Sequence, residues 1–120
     1  MTKIEILQDD ELFLRVNVRG RSSGLPMNVW IGPRGRARHA ARIKVQMDHR
    51  EQFDIDHLAV VSVDDDPPQV IEGQLSAADL EQIRRYIALN KGAILDHWRE
   101  RTDGVELSRS LKPMAEGRQS

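Results

Sequence analysis

The hydrophobic residues of this 120-residue chain change their spacing once, near Ser76, and that change limits the folds open to it. Before it, they fall on every second position. Leu12, Leu14, Val16 and Val18 alternate with Phe13, Arg15, Asn17 and Arg19. Met27, Val29 and Ile31 alternate with Asn28 and Trp30, and Ile43, Val45 and Met47 with Arg42, Lys44 and Gln46. A period of two sends successive side chains to opposite faces of a strand. Residues 58–63 form a nearly unbroken apolar run, as expected of a strand buried on both faces. Residues 70–75 pair with it across Asp64-Asp65-Asp66-Pro67-Pro68, where the prolines remove ladder donors. Residues 3–7 make a short edge strand, 20–26 a turn or flexible loop rich in Gly, Ser and Arg, and 49–57 a polar connection anchored by Phe53 and Ile55.

After Ser76 the period becomes helical. Ser76 with Asp79 resembles a capping box, and Leu80, Ile83 and Ile87 recur on one face. Asn90-Lys91-Gly92 is expected to break or kink that helix, because Asn and Gly tolerate positive φ. A second helix over 93–101 is anchored by Ile94, Leu95 and Trp98 and stopped by Thr102-Asp103-Gly104, with a short docked segment following. Strands followed by helices give an α+β fold: a mostly antiparallel sheet of about five strands, then two C-terminal helices packed on one face. One domain over 1–113 with a flexible tail at 114–120 is the expected organisation.

Composition narrows the chemistry. Apolar residues make up 39% and charged ones 31%, and the apolar ones are periodic enough to exclude a disordered chain. With no cysteine there is no disulfide framework and no thiolate site. No run reaches the roughly 18 apolar residues a membrane span needs, and the first residues lack a secretory apolar core, so the expected location is cytoplasmic. No Gly-x-Ser-x-Gly, Walker or His-Glu-x-x-His pattern occurs. The chain therefore reads as non-enzymatic, with no cofactor.

The net charge of −1 hides a strong asymmetry. Residues 15–50 hold nine Lys or Arg and one acid, whereas 51–81 hold nine acids and no Lys or Arg. Such a split bears on partners, not on fold. Arg34, Arg36, Arg38, Arg42 and Lys44 form a cationic loop running into a strand, a pattern suited to phosphate oxygens. Trp30 lies on the polar register beside it, where an indole stacks on a base. Asp64, Asp65 and Asp66 form either a solvated turn or a patch for a basic partner. Asp54, Asp56 and His57, with His49 upstream, place two carboxylates on one face of an extended strand beside an imidazole, a weak divalent-metal and nuclease candidate. Because 42–47 and 58–63 are expected to be neighbours, part of the charge split is expected to pair across the sheet.

Val70-Ile71-Glu72-Gly73-Gln74-Leu75, followed by the stretch from Asn90 to Trp98, resembles a family of small bacterial domains of unknown function. That family carries a Pro-His-Phe-His turn, two strands, a Gly-x-Leu exit and a helical end with a late Trp. The likeness covers residues 38–113. Where the family has its histidines this chain reads Arg38-His39-Ala40-Ala41-Arg42, so at most one is retained. The resemblance implies a partner-binding member of a toxin–antitoxin-like gene pair or a mobile-element accessory protein. A protein partner is thus the first expectation, RNA or DNA the alternative, and no membrane is implied; the sequence does not fix the oligomeric state.

Overall fold

In a computed structural model, residues 15–114 are described. Five strands, β1 (Val16–Val18), β2 (Val29–Ile31), β3 (Arg42–Gln46), β4 (Leu58–Ser62) and β5 (Val70–Glu72), form one antiparallel sheet in sequence order. A one-turn helix α1 (Gly20–Ser23) joins β1 to β2, and two helices follow the sheet, α2 (Ala77–Trp98) and α3 (Gly104–Ser110). The α+β reading and the antiparallel sheet hold. The expected edge strand at 3–7, residues 12–14 of the first alternating run and the end of the tail lie outside the described residues.

The alternation does what a period of two requires. Val29, Ile31, Ile43, Val45 and Val61 join Ile83, Tyr86, Ile87 and Ile94 of α2 in a single core. All nine are 0–1% exposed. The opposite face carries no helix among the described residues. Ala59 and Val61 of β4 are fully buried while Leu58 and Val60 are half-buried, so the apolar run at 58–63 is closed on one side only. Strand β5 stops at Glu72 because Gly73 adopts φ 77°. A Cβ there would lie 2.8 Å from Ala59 Cα, so the Gly-x-Leu exit is a backbone requirement.

Several expectations are decided or corrected. Residues 20–26, expected as a turn or flexible loop, contain α1, whose first N–H (Gly20) donates to the buried Asn28 Oδ1 at 2.9 Å. Of the break or kink expected at Asn90, the structure has the kink. Asn90 sits at φ −117° and ψ 15° inside α2 and never reaches positive φ. Its side-chain amide donates to the carbonyls of Tyr86 (3.2 Å) and Lys112 (3.0 Å), and its Oδ1 accepts from Lys112 N–H at 2.7 Å. Those bonds replace what the kink loosens, so the helix bends and continues. Asp103 does not merely stop a helix but starts α3, through a reciprocal capping box with Glu106. Met114, expected to open a loose tail, donates its N–H to Ser23 C=O and packs on the core.

At the start of α2, Ser76 Oγ accepts from Asp79 N–H at 3.0 Å as its spacing predicts. The Asp79 carboxylate instead meets His49 Nε2 at 2.9 Å.

Candidate anion-binding face

The face of the sheet without a helix is assembled by register. Asn17, Trp30, Lys44, Val60 and Glu72 lie in one row across all five strands. Arg42 stands opposite Ser62 in the next row, and Arg15 crosses Gly32, with its Cγ 3.8 Å from where a Gly32 Cβ would be. Beyond β2 the chain runs through 32–41 toward the C-terminal end of α2. Arg34 N–H donates to Trp98 C=O at 2.9 Å and Gly35 N–H to Glu100 Oε2 at 3.1 Å. The Arg34 side chain closes its own turn, its Nε donating to Ala37 C=O at 3.0 Å. His39 then packs on Trp98, ring centroids 5.5 Å apart at 32°.

A cavity of about 330 Å³ results, with Arg15, Arg34, Arg42 and Lys44 around it and Trp98, His39 and Trp30 among its walls. Glu72 is the one acid among its described lining residues. None of these four cations forms an ion pair among the described residues, nor do Arg36 and Arg38 on the exposed loop. Four like charges around one concavity raise the local anion concentration. A second concavity shares Arg34 and Trp98 with the first and adds Arg99, Asp64 and Glu100.

The acidic block does not neutralise this face. Strands β3 and β4 are neighbours as expected, but β4 carries no acid, so Arg42 and Lys44 oppose Ser62 and Val60. The expected cross-strand charge pairing is absent among the described residues. Instead Asp48, Glu51 and Asp54 are matched locally. Arg50 bonds Asp48 (3.0 Å) and Asp54 (2.6 Å), and Arg21 lies 3.6 Å from Glu51. The Arg50 guanidinium and the Gln46 amide hold the Asp48 carboxyl down to about 2. Asp64, Asp65 and Asp66 are exposed in the β4–β5 turn without an ion pair among the described residues.

Two sequence-based candidates are corrected. Trp30 lies on the open face but is 3% exposed, its ring edge-on to Phe53 with centroids 5.4 Å apart. Arg19 sits over the other ring, 4.6 Å from the Phe53 centroid. Trp30 is therefore part of the cavity wall and offers no open ring to a base. The metal candidate also fails. Residues 54–57 are a turn, not an extended strand, and no group of three or more His, Asp or Glu is arranged to hold a metal among the described residues. Asp54 Oδ2 is already bonded to His57 Nδ1 at 2.9 Å and to Arg50 Nη2, and its Oδ1 accepts from Asp56 N–H. The Asp54 hydrogen bond raises the His57 pKa.

The loop carrying these groups is held down by buried amides. Gln46, 0% exposed, donates to Asp48 Oδ1 and to the carbonyls of Arg50 and Gln52, and accepts from Asn28 and from Asp54 N–H. Asn28 adds a bond to Glu51 C=O at 3.0 Å.

Of the proposed nucleic-acid residues, Arg34, Arg42 and Lys44 converge, while Arg36 and Arg38 lie outside the cavity lining. Sequence reasoning passed over Arg15; Trp98, expected as a core anchor, does pack on the core and also lines the cavity. Arg15 was findable from register, since it shares the face of Asn17 and ends opposite Gly32. No protein-family model, curated protein or solved structure matches the chain.

Proposed function

We propose that this chain is a binding module whose open sheet face receives an anionic partner. The observation that carries the reading is the convergence of Arg15, Arg34, Arg42 and Lys44 on one cavity with no ion pair among the described residues. Elsewhere Arg21, Arg50, Arg85 and Arg101 each have a carboxylate within 4 Å, whereas Arg19, Arg84, Arg99 and Arg109 stand singly among the described residues without an ion pair. Guanidinium groups left unpaired in a concave site favour bidentate oxyanions.

Retention on immobilised heparin tests the reading. A chain of net charge −1 with evenly mixed charge passes through such a matrix; this one is expected to be retained at low salt and released as salt rises. Arg42→Glu with Lys44→Glu is expected to abolish retention, and Arg85→Glu on the helix side to leave it. Flow-through of the unmodified protein at low salt sinks the proposal.

A further inference from the structure

We infer that the anionic partner is single-stranded nucleic acid, a nucleotide of which sets its phosphate among Arg15, Arg42 and Lys44 and its base against the His39–Trp98 wall. This rests on the anion-binding reading of the same face and adds the chemistry of the ligand. The cavity is not uniformly cationic. Arg15, Arg42 and Lys44 lie on or beside the strands and Arg34 on the loop, whereas another wall is aromatic, with Trp98 half-buried and His39 exposed and packed against it. Charge beside a flat ring is what a nucleotide needs, since every base has a π-face and every phosphate a charge. An acidic peptide would use the cations and leave the rings without a partner.

Shape separates single strands from duplexes. About 330 Å³ lies at the lower end of small-ligand sites and admits one splayed nucleotide. A duplex keeps its bases stacked inside and would touch only the rim. The path also continues. The second concavity begins at the shared Arg34 and Trp98 and leads to Arg99, and Arg36 and Arg38 project from the connecting loop. A strand crossing from Lys44 past Trp98 would meet cations at successive phosphates. Asp64 and Glu100 line that second concavity, and Glu72 the first, where base amino groups are the matching donors.

The test uses the full chain and a fluorescein-labelled oligouridylate of about 12 nucleotides, within the roughly 4–16 nucleotide span of such sites. Binding is expected by anisotropy, weakening with salt at a slope of about −2 for some three phosphate contacts. Tryptophan emission is expected to fall on binding. His39→Ala, at an exposed position, is expected to weaken binding several-fold, and Trp98→Ala by about tenfold. Because Trp98 also packs against the core, Trp98→Phe serves as the variant that keeps a ring: it should retain most affinity while losing most of the quenching. Heparin retention without oligonucleotide binding would overturn this inference and leave the anion-binding reading standing; loss of both would overturn both. Equal affinity for the matching duplex, for polyglutamate or for free uridine monophosphate would also overturn it.

Discussion

The two faces of the sheet are built from the same five strands and obey opposite rules. On the helix side, Val29, Ile43, Val45 and Val61 meet Ile83, Ile87 and Ile94 with almost no exposure. On the open side, Lys44 is exposed, Arg42 and Val60 are half-buried, and Trp30 and Gln46 are buried under a folded-back loop. The first face is held by apolar contact alone. The second combines a polar clamp at one end with unmatched cations at the other. The contrast separates what maintains the fold from what is free to meet a ligand.

The largest effect is expected from the covered face. Ile87→Ala leaves a cavity between helix and sheet and should cost about 2–5 kcal/mol in denaturant or thermal unfolding. Gln46→Ala comes next. It strips one partner from Asn28 and from the half-buried Asp54 N–H, and takes the amide donor from the Arg50 and Gln52 carbonyls, at about 1–3 kcal/mol. If it cost less than a surface substitution, the clamp would not be holding the open face. Gly92→Ala runs the other way: its Cβ would meet nothing within 4 Å, so about 0.5–1 kcal/mol of stabilisation is expected from α2. Lys44→Ala should leave stability within about 0.5 kcal/mol while shifting heparin elution to lower salt. A large loss of stability would break the division between the two faces.

A last, finer test uses pH. Asp54 raises the His57 pKa, so that pair stabilises the loop fully below the ordinary imidazole value and loses its effect as pH rises through the raised one. Asp48, held at about 2, contributes above its ordinary 3.8 and loses its effect as pH falls toward 2. An NMR titration should show the His57 pKa fall in Asp54→Asn; an unchanged value would mean that the two groups are not bonded.

The covered face was legible in the sequence because burial writes a repeating signal. Ile43 and Val45, or Ile83 and Ile87, declare their side by spacing alone. The open face was legible only in part. Alternation placed Trp30 among outward residues, and so it is, but the distant Phe53 closes over it. Nothing local to β2 carries that information. The residue type of Asn90 suits a break or a kink alike; the contact that decides for the kink comes from Lys112, 22 residues away. The cationic cavity needed register. Arg15, Arg42 and Lys44 converge because three strands align, and His39 and Trp98 converge because a loop and a helix end meet. The charge split misled in one respect, since it suggested cross-strand pairing where β4 offers Val60 and Ser62.

The ten residues between β2 and β3 would ordinarily be the most mobile part of such a site. Here they are tied by Arg34 N–H to Trp98 C=O and by Gly35 N–H to Glu100, so a helix end and a loop cap one another. The ordering entropy of that connection is thereby met during folding and not at the moment of binding. An arriving ligand finds Arg34 and the stacked rings already arranged, which favours affinity through preorganisation. The same tie makes α2 a listener to the site: amide exchange near Trp98 is expected to slow when the cavity fills, although no ligand touches the helix beyond its final turn.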